Sequence, residues 1–577
     1  MKKAKITTQL MALLLTTLLV FSISGCNPAQ TGATTSGSGT SGSSVSSGTT
    51  TAPQKTVTIS ILTLNGDENK YKDSPVQQEM TAKTGVVVEF VPADQDKLNV
   101  LLAGGDLPDI VRVDTSKFNQ LIEGGNVIAM DDLLATNGKN ITITIPQTVA
   151  FSKAYWSDGK NATYFLPVQV GSDATAADPS IGLVTRWDYY KEMGYPEIKS
   201  TDDFLNMLAE MVKNHPKTDD GKPVYGVSAF SDWDNWCLHI PMDGVLGYYQ
   251  TSSKTELLKV DTNQITNMLL DQEAAYWKCV EYYYKANQLG ILDPDALTQK
   301  FADFGAKATA GQLLSGPATW AMGDFNTNNA KDAKGFEVLP LDWGFQWGGA
   351  NAKAGWTDKC FGITKNCQTP DKAMDLLDYF YSYEGSRTLF SGVEDKDWEA
   401  VGGVPTLKDA TIELQKAGGD PWLQSGIGFD SNFIGLSPFT INPNDGKAVS
   451  LFNDASVYPL SLNNLQKDFA EHYGVKYPQQ IFEKKIADGK SKNASTQDAF
   501  ALALLPTAPD DIKRMDAKLD ELCIKDAAKM ILSKSDSEFS ANKQSAIEDF
   551  QNAGVQQVAD WYAEQWKTAA EKSAAIK

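Results

Sequence analysis

Histidine is almost missing from this chain. His215, His239 and His472 stand far apart, and no two cysteines are spaced as CxxC. A zinc centre, which draws on closely spaced imidazoles and thiolates, is therefore not expected. GxSxG, HExxH and GxxxxGK[ST] are all absent, so the usual acyl-transfer, metalloprotease and phosphate-loop signatures are missing. Asp303-Phe304-Gly305 spells a kinase tripeptide, but no glycine loop or catalytic loop accompanies it. Positive charge is scarce too: 52 Lys and Arg face 72 Asp and Glu, for a net charge of −20. Such a body is a poor partner for nucleic acid, whose phosphates need neutralising. Past the first 25 residues no apolar run reaches membrane-spanning length. No fixed-period repeat occurs.

What is present begins at the amino terminus. Lys2, Lys3 and Lys5 precede an apolar segment, Leu10 to Ile23, and small residues lead to a cleavage point. Residues 1–25 read as a signal peptide. Ile23-Ser24-Gly25-Cys26 resembles the lipobox of bacterial lipoproteins, which implies a diacylglycerol anchor on Cys26. Residues 26–56 are rich in Ser, Gly and Thr and carry no carboxylate. They cannot bury enough surface to offset their ordering entropy, so they read as a flexible tether with a span of roughly 25–30 Å. Five cysteines follow Cys26, namely Cys237, Cys279, Cys360, Cys367 and Cys523. An odd number leaves at least one thiol free, and buried free thiols are expected in preference to a Cys360–Cys367 disulfide.

The body is 42% hydrophobic and 10% aromatic over the full sequence, which is globular, and it is too long for one core. Val57 to Leu64 alternates as a strand; Ser74-Pro75 opens a helix that Gly85 stops. Val86 to Val91 and Asp109 to Val113 are further strands, with a helix over Asp96 to Ala103 between them. Strand and helix in alternation predict a parallel sheet covered by helices. Ser200 to Asp203 reads as a capping box, Tyr225 to Phe230 as a strand, and Asp371 to Tyr383 as a helix. From Pro509 onward two or three helices close the chain.

Several stretches, in order, resemble the extracellular solute-binding proteins of sugar ABC importers, of the maltodextrin-binding type. They are LLAGGDLPDIV (101–111), WSDGKNATYFLPVQ (156–169), RWDYYKEMGYPEIKSTDDFLNML (186–208), SGPATWAMGDFN (315–326) and FGITKNCQTPDKAMDLLDYFYSYEGS (361–386). The resemblance covers about residues 57–475, and the length resembles the large lipoprotein branch of Gram-positive bacteria. It implies an α/β fold of two lobes, periplasmic-binding-protein-like (type II), with the ligand between them. The expected division is 57–167 in lobe 1, 168–338 in lobe 2, 339–395 back in lobe 1, and 396–577 completing lobe 2 with the C-terminal helices. Crossings are expected near Leu166 to Val168, Leu339 to Trp347 and residues 395–435. The partners implied are an oligosaccharide, permease subunits with a separate ATPase, and the membrane through Cys26. A monomer is the family default, and no cofactor is implied.

Sugars offer apolar faces to aromatic plates and hydroxyls to Asp, Asn and Gln. Trp320, in GPATW, matches a stacking tryptophan of the family. Trp233 and Trp236, beside Asp232 and Asp234, match a region that supplies aromatic and acidic contacts. The resemblance implies that Trp356 and Asp358 face the cleft and that Gln169, at the first crossing, contacts sugar. Asn65, Asp67 and Asp114 sit at strand ends, where parallel sheets bind ligands. Trp156, Trp187, Trp561 and Trp566 read as packing residues. Some alginate-type relatives carry a calcium loop after the helix ending here near Asn214. Lys217 to Val224 lacks the spaced carboxylates such a site needs, so no metal is expected. The rival readings are a peptide or polyamine binder and a lipid-anchored carbohydrate-active enzyme.

Overall fold

The computed structural model describes residues 56–64, 71–93, 95–171, 179–346, 355–428 and 435–576. The signal segment, Cys26, and the tether up to Lys55 lie outside the described residues, as do Asn65 and Asp67.

Five strands form the first sheet: β1 (Val57–Leu64), β2 (Val86–Ala93), β3 (Ile110–Val113), β4 (Leu166–Val168) and β5 (Trp356–Ile363), in the order β2-β1-β3-β5-β4. β1 runs parallel to β2 from Val57↔Val86 to Leu64↔Ala93 and parallel to β3 at Ile61↔Ile110. β5 is antiparallel to both β3 and β4, so the carboxyl ends of β1 to β4 share one edge with the start of β5. Local chemistry sets the early boundaries as expected. The Ser74 hydroxyl accepts from the Gln77 N–H at the start of helix Pro75–Thr84, and Gly85, at φ 71°, ends it.

The quoted motifs are joined by long-range hydrogen bonds. Asp109 Oδ2 accepts from the Ser60 N–H at 2.8 Å and from its hydroxyl at 2.6 Å, tying the turn before β3 to β1. The Asn366 amide donates to the carbonyls of Gly105 and Leu107, so the GGDLPD turn is held by the chain leaving β5.

Hydrophobic side chains gather in two main bodies. Both faces of the first sheet are covered, one around Ile59, Ile61, Val88 and Phe361, the other around Leu62, Val113, Phe151, Trp156 and Phe165. The second body draws on residues 183–341 and 465–562, including Trp187, Phe204, Tyr276, Phe336, Phe469 and Cys523. The chain stays in the second body to Leu341 and is back in the first sheet by Trp356.

The later crossing falls beyond its expected place at 395–435. The hairpin Trp398–Val401/Val404–Leu407 and the stretch to Val457 still pack on the first body through Trp398, Leu407, Ile412, Val449 and Phe452. Leu465 is the first residue after them in the second. The hairpin's partly exposed strands and the short helices after it gave no periodic signal to mark this. Nor does 396–577 belong wholly to the second body, because Phe500 packs on Phe151 at a ring distance of 5.2 Å. Tyr225 to Phe230 makes only isolated parallel bridges, to Leu313 and Leu292. Asp371 to Tyr383 is two helices, Pro370–Tyr381 and Tyr383–Ser391, broken at Ser382. Three helices close the chain: Asp510–Ile531, Asp536–Asn552 and Val555–Ile576. Among the described residues no helix is long and apolar enough to cross a membrane.

The joint between β4 and β5 is tight. Gly355 has φ +69°, and a Cβ there would lie 2.6 Å from the Val168 carbonyl oxygen and 2.7 Å from Val170 Cγ2. Gly355→Ala combines a left-handed penalty with a backbone overlap and is expected to lower stability by about 3 kcal/mol, read as a fall in the thermal midpoint.

Candidate functional site

The most distinctive surface of the second body is an aromatic shelf. The stretch Tyr225 to Phe230 is held from both sides: Gly226 N–H donates to the Ile291 carbonyl, and Tyr225 O accepts from Leu314 N–H. Past Phe230 the chain turns, with Ser231 N–H on the Gln299 carbonyl at 3.0 Å and Asp234 in the left-handed region at φ 54°. This turn sets Trp233 and Trp236 side by side, ring centroids 5.5 Å apart. Trp320 enters from a separate segment. There Ala318 bridges to Ile181, and Thr319 N–H donates to the Ser180 carbonyl at 2.8 Å.

Trp320 lies 5.8 Å from Trp233, with the rings 16° apart, and 5.5 Å from Trp236. Phe301 (4.7 Å from Trp233) and Phe230 (5.0 Å) complete the cluster. Trp233 is 40% exposed and Trp320 44%, while Ala318, Ala321 and Met322 around Trp320 are buried. Two large indoles are thus left open among buried neighbours, which makes this patch a candidate interaction surface.

Three sequence-predicted residues thus meet. Asp232 is exposed beside them, and its Oδ1 accepts the Phe301 N–H at 2.8 Å, which fixes the start of helix Phe301–Thr309 against the turn. Phe230 and Phe301 were not singled out in the sequence, because no local spacing ties Phe301 to a turn 69 residues away.

The other candidates stand on the first sheet. Asp114 directly follows β3 and is half-buried, its Oδ1 accepting Ser116 N–H at 2.8 Å. Gln169 directly follows β4, buried and at φ 56°. Trp356 opens β5 in register with Val168, and Asp358 follows it. All four belong to the carboxyl edge of the parallel strands. Trp156, Trp187 and Trp566 are buried packing residues, and Trp561 is partly buried against the second body.

Little near the shelf suits it for chemistry. His239 lies behind it, buried, with Nδ1 2.8 Å from Asp243 Oδ2. The five described cysteines are all buried, and burial pushes the Cys237 thiol up to about 12, so it is inert as a nucleophile. Two cations in this region are paired with carboxylates, while Lys300 is exposed at the start of helix Phe301–Thr309. Lys254 pairs with Asp234, and Lys307 with Asp293 and Asp295 at 2.8 Å each. Asp520, under the turn, is pushed up to about 6 by burial, with the charge of Asp234 adding to it. Among the described residues no group of three metal-ligating side chains occurs. Lys217 bridges Pro223, and Asp220 pairs with Lys222 at 3.1 Å.

A family model of bacterial extracellular solute-binding proteins matches residues 65–386, more than half of the chain. No curated protein matches the sequence. Among solved structures, an EF-hand mutant of the S. pneumoniae ABC-transporter substrate-binding protein FusA, in complex with fructo-nystose, superposes with a TM-score of 0.59 at 15% identity, over 90% of this chain and 100% of that one. The alginate-binding protein AlgQ2 without calcium ion gives 0.57 at 14% identity, over 89% and 99%. An HMO-binding solute-binding protein from Bifidobacterium longum infantis gives 0.56 at 14%, over 89% and 98%. At such identities the likeness is one of fold, and the fold is the α/β periplasmic-binding-protein-like one expected from the sequence.

Proposed function

Because the chain belongs to the bacterial extracellular solute-binding protein family, and is therefore a solute-binding protein of an ABC transporter and not an enzyme, we propose that it captures an uncharged oligosaccharide. The single observation that carries this is the exposed pair Trp233 and Trp320, two nearly parallel indoles within 5.8 Å. Indole faces suit the C–H faces of consecutive sugar rings. A neutral ligand is favoured because Lys254 and Lys307 are neutralised by carboxylates and the whole chain carries −20. The fold neighbours named above include proteins crystallised with or named for saccharides, which agrees with this reading.

In the proposed mechanism the two bodies are lobes. The shelf on one and the carboxyl edge with Asp114, Gln169, Trp356 and Asp358 on the other, joined by Asn65 and Asp67, close on the ligand by hinge motion. Hydroxyls pair with the carboxylates and amides. Ligand favours the closed form only by its differential affinity for the two forms, and that form docks on the permease. No bond in the sugar is broken. A thermal-shift screen of residues 57–577 against neutral oligosaccharides, uronate oligomers, peptides and polyamines tests the reading. Stabilisation by a neutral sugar recovered uncut supports it; stabilisation by peptides or polyamines alone overturns it.

The anchor belongs to the same proposal: lipidation of Cys26 holds the protein at the outer face of a Gram-positive cell membrane through the 26–56 tether. Cys26→Ser is expected to abolish palmitate labelling and to move the protein from the membrane fraction to the medium.

A further inference from the structure

The shelf is held from below by a helix outside the family match. Asn235, between Asp234 and Trp236, is 3% exposed. Its backbone N–H donates to Asp520 Oδ1 at 3.1 Å, and its side-chain amide donates to the Lys254 carbonyl at 2.8 Å. Asp520 lies on helix Asp510–Ile531, well past residue 386. One turn earlier on the same face, Asp516 takes the Lys254 N–H at 2.9 Å, the Thr255 hydroxyl at 2.9 Å and the Ser253 hydroxyl at 3.0 Å. Positions four apart share a helix face, so one stretch of helix grips both the tryptophan turn and the segment beside it. The helix itself cannot drift easily. Leu519, Cys523, Ala527 and Met530 are buried in the second body, and the Tyr276 hydroxyl donates to the Cys523 carbonyl at 3.0 Å.

We infer that Asp520 is a positioning residue for ligand binding: its carboxylate fixes the Asn235 N–H and thereby the pose in which Trp233 and Trp236 meet the ligand. The inference rests on the oligosaccharide reading above for its consequence, though not for its geometry. Asp234 already holds a left-handed backbone, a conformation uncommon outside glycine though tolerated by aspartate in turns. Without an acceptor beneath it, the Asn235 N–H is buried unpaired, and the turn is free to relax toward ordinary dihedrals. The two indoles on it would then leave their register with Trp320. The C-terminal helices on this account tune the shelf and do more than complete the fold.

The test compares Asp520→Asn, which keeps an acceptor oxygen in place, with Asp520→Ala, which removes it, and Asp520→Glu, which displaces it and retains the charge. The first readout is the exciton couplet that three coupled indoles give in far-ultraviolet circular dichroism, assigned by its loss in Trp233→Phe. The second is affinity for maltotetraose, cellotetraose, xylotetraose and mannotetraose, using whichever binds the unaltered chain. D520N is expected to keep the couplet and an affinity within threefold. D520A and D520E are expected to lose at least half the couplet and tenfold or more in affinity; if D520A does not fold, D520E decides. Variants that keep couplet and affinity while only the thermal midpoint falls would overturn the inference, leaving Asp520 a plain fold contact. If none of the four sugars binds the unaltered chain, the couplet alone decides on Asp520, and the failure falls on the sugar reading.

Discussion

The double variant W233A/W320A is expected to bind its oligosaccharide between a hundredfold and a thousandfold more weakly, with the thermal midpoint lowered by no more than a few degrees. Truncating a buried aromatic anchor at an interface typically costs about 2 kcal/mol or more, and each 1.4 kcal/mol is tenfold in affinity. The two rings touch, so their effects need not add, which sets the lower bound. Stability suffers less because both side chains are about two-fifths exposed in the free protein. Calorimetric titration of wild type, each single variant and the double variant measures this. Unchanged affinity would remove the shelf from the site. A collapse of the thermal midpoint would show that the indoles serve packing first.

The second large effect concerns Glu256, whose side chain is 1% exposed and accepts from Asn267 Nδ2 at 2.5 Å. Burial is the main cause that pushes its carboxyl up to about 8, with the charge of Asp516 adding to it. An acid whose folded pKa exceeds its unfolded value binds more protons when folded. Its stabilising contribution is therefore fully present below the unfolded value of 4.5 and is lost as pH rises toward about 8. The shift corresponds to a loss on the order of 5 kcal/mol across that window. Glu256→Gln keeps an oxygen for Asn267 and removes the titration. At pH 8 the variant is expected to melt several degrees above wild type, with the gap closing at pH 5. A gap of the same size at both pH values, or a less stable variant at pH 8, would contradict this.

Local chemistry carried the sequence reading where it succeeded. Ser74 and Gly85 bound their helix as expected, and the strand Val57 to Leu64 and the turn before β3 were visible from alternation and from Gly-Gly-Asp-Leu-Pro. Trp320, Trp233 and Trp236 are singled out by family resemblance, the last two also by the carboxylates beside them, and the three rings lie together in the fold. What stayed hidden was long-range. Asp232 looked like a hydroxyl-reading rim residue, yet one of its oxygens caps a helix start 69 residues away. Asn235 carries no signal of its own in the sequence, and its backbone N–H meets an aspartate 285 residues on. Spacing along the chain holds no trace of either contact. The late crossing was missed for a related reason. Val401 and Val404 at the tip of the hairpin are exposed, so its pattern is not that of a core strand.

The central claim is capture of a neutral oligosaccharide without chemistry, and one measurement addresses it most directly. Residues 57–577 would be titrated calorimetrically with a neutral tetrasaccharide that stabilises them and with a uronate tetrasaccharide, and the sugar in the cell then analysed for cleavage. The account predicts saturable binding of the neutral sugar at one site per chain, much weaker binding of the uronate, and full recovery of intact ligand. Tighter binding of the uronate, or sugar recovered cut, would contradict it.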